Sequence, residues 1–233
     1  KGAHHVMEDP SQKRVNRACI DSDLETSLRE LGVDSVDIYF LHRDDPEKPV
    51  SEIMDALDRH VKAGRIRALG ASNWTCARIA EANAYARANG KTPFTVSQIQ
   101  WGVAYVKPGA WPDPTLVSMT SEEYAGYLAL GIPVMAFSPQ AGGYFSKMIS
   151  GEPLQPKFAE RYDGPENRRR LAALREICAR TGASPAAVLL GYITSNRLPG
   201  SAVIGCSTLE QLEDSMSACD LTLSEADIAA LEQ

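Results

Sequence analysis

The sequence predicts an α/β protein whose strands and helices alternate around a (β/α)8 barrel. Strand-like segments begin near residues 36, 66, 95 and 132, and their spacing of about thirty residues is the length of one strand-helix unit. The same alternation fits an open doubly wound sheet, but that fold carries a Gly-rich phosphate loop after an early strand. No strand-like segment here is followed by such a loop, so the barrel is favoured.

The first helix and the first strand have the clearest patterns. The apolar residues of the helix recur at spacings of four, four and three: Ile20, Leu24, Leu28 and Leu31. This spacing places them on one helix face, and Gly32 follows as a helix terminator. In Val36–Leu41, β-branched and aromatic residues run almost without interruption, as in a strand that is covered on both faces.

The later elements repeat this order. Helices are predicted around 53–64, 76–88 and 121–130, and strands at 66–71, 95–101 and 132–137. The last part has a Gly/Pro-rich loop at 138–165, helices near 167–180 and 184–195, a strand at 202–205 and a final helix around 209–218. A parallel arrangement follows from the helix between each pair of strands.

The number of strands is too small for a closed barrel. Five are visible and eight are needed, and five parallel strands would leave apolar edges exposed. We expect the missing wall to precede Lys1, so that the first two βα units and most of the third strand lie outside these 233 residues. Lys1 would end that third strand, and residues 1–233 would form a single, N-terminally incomplete domain.

Composition narrows the possible partners and the compartment. The formal net charge of -6 argues against nucleic acid or an anionic membrane surface as the main partner. The longest uncharged stretch, 125–146, contains four glycines and two prolines and does not predict a membrane-spanning helix. The five cysteines include no C-x-x-C pair, which is typical of reduced thiols in a cytoplasmic protein.

In a barrel, the residues just after each strand form the active site. Amide and hydroxyl groups dominate this set: Lys1, His42, Ser72, Asn73, Gln98, Trp101, Phe137, Ser138, Gln140, Cys206 and Ser207. Carboxylates are rare in it, so the set fits a polar, planar ligand, and no metal site is predicted.

Five segments resemble the aldo-keto reductase family in order and spacing. They are Val36–His42, Gly64–Trp74, the strand with Gln98, Phe137–Pro139 and Val203–Glu213. The resemblance implies an oxidoreductase that moves a hydride between C4 of a nicotinamide dinucleotide and a carbonyl or alcohol carbon. Its substrate would be a small aldehyde, ketone or sugar.

The family works with an Asp, a Tyr, a Lys and a His. Lys1 and His42 resemble the Lys and the His, whereas the Asp and the Tyr proton donor belong to earlier strands. In this resemblance the Lys ammonium lowers the Tyr pKa, and His42 donates a hydrogen bond to the carbonyl oxygen.

The resemblance also implies the cofactor site. Ser72, Asn73 and Gln98 would hold the nicotinamide carboxamide, Phe137 would stack on the ring, and Ser138 and Gln140 would follow it. The adenosine-phosphate end would take Gly205, Ser207, Gln211, Asp214 and Ser215. NADP(H) is expected ahead of NAD(H), although the Lys and Arg that many relatives have at positions 205 and 211 are absent.

Two other functions stay open, as does the identity of the substrate. A metal-dependent hydrolase could use the same barrel, but it needs several His and carboxylate ligands at strand ends. A non-catalytic NADP(H)-sensing subunit would retain the cofactor site without turnover. The substrate pocket is expected between loops 102–120 and 140–165, with Tyr105, Trp111, Tyr144 and Phe145 as walls.

Overall fold

The computed structural model describes residues 1–232 and divides the chain into two compact units. The first unit comprises Lys1–Ile99 and Thr115–Pro133, and the second comprises Gln100–Pro114 and Val134–Gln233. Each unit is therefore assembled from two separate stretches of chain.

The first unit contains parallel strands with helices between them. Its elements in chain order are α1 (Arg17–Leu31), β1 (Val36–Leu41), α2 (Val50–Lys62), β2 (Ile66–Ser72), α3 (Cys76–Ala88), β3 (Phe94–Gln98) and α4 (Ser121–Leu130). β2 pairs in parallel with both β1 and β3, and the register places Leu41 beside Ala71 and Ser72 beside Gln98. The predicted parallel α/β order is confirmed.

The second unit combines two parallel strands with the remaining helices. Its elements are β4 (Val134–Phe137), α5 (Tyr144–Ser150), α6 (Pro156–Tyr162), α7 (Pro165–Thr181), α8 (Pro185–Thr194), β5 (Gly200–Val203), α9 (Leu209–Met216) and α10 (Glu225–Glu232). β4 pairs with β5, with Phe137 beside Val203. Among the described residues, no helix is both long and apolar enough to cross a bilayer.

Local sequence signals explain where α1 begins and ends. The Asn16 side chain accepts a hydrogen bond from the backbone N–H of Cys19 and caps the first turn. Gly32 ends the helix with a φ of 67°, a conformation that glycine adopts without steric cost. Ile20, Leu24 and Leu28 are buried as predicted, whereas Leu31 is 66% exposed because it lies at the end of the last turn.

The largest differences from the predicted elements lie in the second unit. Residues 138–165 contain α5 and α6, which are only seven residues long and lie among glycines and prolines. The last strand is Gly200–Val203 rather than 202–205, so Gly205 follows the strand instead of ending it. Helix α10 was not anticipated.

Residues 115–133 are locked into the first unit by polar contacts. The Tyr127 hydroxyl lies 2.7 Å from the Ser97 hydroxyl and donates to the Trp74 carbonyl over 3.3 Å. Glu123 accepts a hydrogen bond from the backbone N–H of Cys76 over 2.7 Å. Because Tyr127 is fully buried, its polar atom needs these partners.

Tyr39 is a contrasting buried tyrosine, because its hydroxyl has no hydrogen-bond partner among the described residues. Removing an unsatisfied buried hydroxyl relieves a desolvation penalty, so we expect Tyr39→Phe to raise the free energy of unfolding by about 1 kcal/mol. Tyr127→Phe loses satisfied hydrogen bonds and should lower it by about 1 kcal/mol. Urea denaturation monitored by circular dichroism measures both variants, and equal destabilisation would contradict the assignment.

Candidate active site

Polar residues meet where β1, β2 and β3 end. His42 follows β1, Ser72 ends β2 and Gln98 ends β3. Since the strands are parallel and in register, these ends share one edge. This edge brings together the first-unit residues that were predicted as a site.

Lys1 lies at the same edge because the residue after it pairs with the end of β1. Gly2 forms a parallel bridge to Leu41 at the end of β1. The Lys1 ammonium donates to the Ser72 hydroxyl oxygen over 3.1 Å and also to Oε1 of Gln98. Lys1 therefore connects the ends of β2 and β3.

Asn73 ties the strand ends to one another. Its Nδ2 donates to the His42 carbonyl over 3.4 Å and to the Ser72 hydroxyl over 3.3 Å, while its Oδ1 accepts from the Val117 N–H over 3.2 Å. The residue has a φ of 58°, in the left-handed region that Asn tolerates better than most residues. Asn73 thus fixes the geometry around His42 and Ser72.

Burial and neighbouring charge keep His42 neutral. Desolvation is the main cause that lowers its pKa to about 3, and the positive charges of Lys1 and Arg43 add to the effect. Lys1 as a residue is exposed, but its ammonium lies between Ser72 and Gln98. Desolvation of this ammonium, followed by the charge of Arg43, lowers the Lys1 pKa to about 8.

Two residues that contact His42 were not predicted as site residues from the sequence. Arg43 is only 6% exposed, and it donates to the His42 carbonyl over 2.8 Å and to the Thr115 hydroxyl over 2.9 Å. The His4 ring packs edge-on against the His42 ring, with centroids 4.5 Å apart. Considering two residues after each strand would have included Arg43, whereas His4 has no comparable signal.

In the second unit, Phe137 ends β4 beside an aromatic-cation stack. The Phe137 ring centroid is 6.1 Å from that of Trp111, and the Arg161 guanidinium lies 3.9 Å from the Trp111 ring centroid. Ser138 follows with a φ of 51°, so the chain turns sharply after the strand. This arrangement leaves Phe137 half-buried.

Several residues predicted at strand ends or in the cofactor site make two separate sets of contacts in the second unit. Gln140 donates through Nε2 to the buried Ser215 hydroxyl over 3.3 Å, and the Cys206 sulfur lies 3.9 Å from the same oxygen. Separately, Gln211 accepts from the Ser207 N–H over 2.8 Å. Gly205 is exposed before Ser207, and Asp214 is half-buried on α9.

The predicted walls of the substrate pocket need correction. Tyr144 and Phe145 have no exposed surface, so they are core residues and not walls of an open pocket. Trp101 is also buried, with 1% exposure. Tyr105 is 40% exposed and Trp111 is half-buried, so these two retain surface that a ligand can reach.

Comparisons with known proteins point to one family. The sequence profile of the aldo/keto reductase family matches residues 1–233. An aldo-keto reductase of Fusarium vanettenii is 26% identical, with 99% of this chain and 62% of the relative aligned. The norsolorinic acid reductase of Emericella nidulans is 29% identical, with 90% of this chain and 51% of the relative aligned.

A solved structure shows the fold class. A thermostable aldo-keto reductase crystallised with the inhibitor epalrestat matches with a TM-score of 0.68 and 23% identity, over 94% of this chain and 66% of that one. This likeness confirms the predicted (β/α)8 barrel class. The chain spans between half and two thirds of the curated relatives' length.

The neutrality of His42 predicts a specific pH response. Between its usual pKa of 6.5 and its folded value of about 3, the unfolded chain binds a proton that the folded chain does not. The contribution of His42 to stability is therefore complete above pH 6.5 and is lost as the pH falls toward 3.

NMR spectra of ¹⁵N-histidine-labelled protein should show a neutral His42 ring at pH 5, with the signal assigned by its loss in His42→Gln. Urea midpoints of this variant should fall less between pH 7 and 4 than those of the wild type. A pH midpoint above 5 for the NMR titration of His42 would contradict a neutral ring.

Proposed function

The chain belongs to the aldo/keto reductase family, and on that premise we propose that it acts in an NAD(P)H-dependent oxidoreductase that interconverts small carbonyl compounds and alcohols. The observation that carries the proposal is the convergence of Lys1, His42, Ser72, Asn73 and Gln98 at one strand edge. Membership of this oxidoreductase family favours the proposal over a metal-dependent hydrolase.

His42 and the nearby cations are suited to a carbonyl oxygen. A neutral imidazole keeps one N–H to donate, and the low pKa of His42 preserves this form at physiological pH. Lys1 and Arg43 place positive charge beside it, which stabilises the negative charge that develops on oxygen during reduction. We therefore assign His42 to orienting the carbonyl and Lys1 to the electrostatics of proton transfer.

The bound nicotinamide would supply the hydride, which ends on the carbonyl carbon while a proton reaches the oxygen. The resemblance assigns that proton to a Tyr held near the Lys, and we expect this Tyr in residues before Lys1. Lys1 would hold the Tyr hydroxyl at a lowered pKa. The alcohol product and the oxidised cofactor complete the balance.

The donor set at the strand ends fits a carboxamide. The oxygen atoms of the Ser72 hydroxyl and the Gln98 amide accept hydrogen bonds from Lys1. The Ser72 hydroxyl proton and the Gln98 amide protons are therefore still available for donation. Asn73 uses one lone pair of its Oδ1 for Val117 and keeps the other. We propose that Ser72 and Gln98 donate to the carboxamide oxygen and Asn73 accepts from its N–H.

For the second unit, taken by itself, we propose the cofactor contacts that the resemblance implies. Phe137 would stack on the nicotinamide, with Ser138 and Gln140 beside it. Gly205, Ser207, Gln211, Asp214 and Ser215 would line the adenosine-phosphate end. In support, Gln140 already contacts Ser215, and Gln211 already contacts the Ser207 backbone.

The choice between NADP(H) and NAD(H) depends on charge around α9. Residues 200–233 contain no Lys or Arg, while Glu210, Glu213 and Asp214 lie on α9. A 2′-phosphate gains no ion pair there and meets like charge. The resemblance favours NADP(H), whereas the charge around α9 disfavours its 2′-phosphate. We therefore propose that both cofactors are accepted, with a weak preference for NADP(H).

Cytoplasmic location and a small-molecule substrate complete the proposal. None of the cysteines, all of which lie in the described part of the chain, forms a disulfide, and free thiols are usual in the cytoplasm. An aldehyde, ketone or sugar carbonyl fits the hydrogen-bonding character of the site. The alternative is a non-catalytic NADP(H) sensor, and steady-state kinetics distinguishes it from an enzyme by the absence of turnover.

Substitution of Lys1 tests the catalytic assignment. In the full-length protein, Lys1→Met should lower kcat for NADPH-dependent aldehyde reduction about 100-fold or more, because it removes the charge that supports proton transfer. NADPH affinity, followed by cofactor fluorescence, should change far less. Lys13→Met is the matched control, since Lys13 is exposed, and it should retain wild-type activity. Cofactor binding without turnover by the wild type across an aldehyde panel would reject the enzyme proposal.

A charge substitution on α9 tests the cofactor assignment. The wild type should use NADPH and NADH with kcat/KM values within about tenfold of each other, and Gln211→Arg should raise the preference for NADPH about tenfold through a charged hydrogen bond. Gln155→Arg adds the same charge at an exposed position elsewhere in the second unit and should leave the ratio unchanged. A wild-type preference above 100-fold would contradict this assignment.

A further inference from the structure

An ion pair lies behind the backbone that carries Lys1. Asp23 on α1 binds the Arg14 guanidinium at two points, with Arg14 Nη2 2.7 Å from Oδ1 and Nη1 3.1 Å from Oδ2. The side chains are 34% exposed for Arg14 and 23% exposed for Asp23. Two-point contacts of this kind fix orientation as well as distance.

The same pair also binds the backbone just after Lys1. Asp23 Oδ2 accepts a hydrogen bond from the Ala3 N–H over 2.8 Å, and Arg14 Nη1 donates to the His4 carbonyl over 3.3 Å. Ala3 is fully buried and has a φ of 58°. The left-handed conformation costs an alanine about 1 kcal/mol, so this turn needs contacts that hold it.

Gly2 is fixed from the other side by β1. Its N–H donates to the Phe40 carbonyl over 3.0 Å, and its carbonyl accepts from the His42 N–H over 2.8 Å. A β-carbon at Gly2 would overlap the Tyr39 hydroxyl and approach Asp23 Cβ to 2.9 Å. The backbone after Lys1 therefore runs in a narrow passage between β1 and Asp23.

We infer that Asp23 and Arg14 form a clamp that positions Lys1 for catalysis, and this inference rests on the proposed function of Lys1. β1 fixes only Gly2, whereas the clamp fixes Ala3 and His4. With this backbone in place, the Lys1 ammonium reaches Ser72 and Gln98. Asp23 and Arg14 are positioning residues, because neither contacts the strand-end acceptors of Lys1 in the described structure.

A set of variants of the full-length protein separates the contacts of the clamp. Asp23→Asn keeps an acceptor for Ala3 but removes the charge, and Arg14→Lys keeps a charge but loses the two-point contact. Since small misplacements of a reacting group cost up to about 100-fold in rate, we expect kcat to fall about 10-fold or more in Asp23→Asn and less in Arg14→Lys. KM for the aldehyde and cofactor affinity should stay within about twofold.

The exposed pair Arg67 and Asp37 is the matched control. Its ions are 2.7 Å apart and 73% and 81% exposed, so Asp37→Asn should change neither kcat nor stability. Thermal melts identify the temperature at which each variant is folded, and rates are compared there. If Asp23→Asn does not fold, Arg14→Lys provides the comparison.

The decisive measurement is a double-mutant cycle with Lys1. If the clamp acts through Lys1, Asp23→Asn should have almost no further effect on kcat/KM in a Lys1→Met background. The same fold-loss in both backgrounds would show that the pair only supports the fold and would overturn the inference, as would full activity of folded Asp23→Asn and Arg14→Lys. Full activity of Lys1→Met would instead reject the proposed function, so the two failures are distinguishable.

Discussion

Parallel pairing of β1, β2 and β3 is the constraint on which the candidate site depends. Parallel strands end at one edge, and the register that sets Ser72 beside Gln98 also brings His42 to that edge. Backbone groups at a strand end lose their ladder partners and must find others. The Asn73 side chain supplies two such partners, because it donates to the His42 carbonyl and accepts from the Val117 N–H.

The electrostatic interactions at this strand edge oppose the stability of the folded protein. Lys1 and Arg43 place like charges near each other in a partly dry environment, and this arrangement lowers the pKa values of Lys1 and His42. Such an arrangement is costly in the resting protein. A negative charge on a bound oxygen would offset this free-energy cost by pairing with the two cations. A site with this property binds a transition state better than a ground state.

The sequence was informative where periodicity and strand ends carried the signal. Val36–Leu41 and His42 could be placed because the segment is short and rich in β-branched and aromatic residues, which favours a strand over a helix. Helix α5 could not, since a seven-residue helix behind Gly142 and Gly143 has no repeating stripe. The contact of Asp23 with the backbone of Ala3 joins positions twenty residues apart through a side chain. No local pattern reports such a contact, and the roles of the site residues remain predictions.

The discontinuous first unit has a consequence for how the chain folds during synthesis. Its contacts from Asn73 to Val117, Cys76 to Glu123 and Ser97 to Pro133 join stretches separated by residues that belong to the second unit. The first unit therefore cannot finish folding on the ribosome until Pro133 has emerged, with part of the second unit already made. Closing such long loops slows folding. During that interval the nascent chain exposes the surface that α4 covers with its buried Tyr127, the stage at which chaperones protect a polypeptide from aggregation.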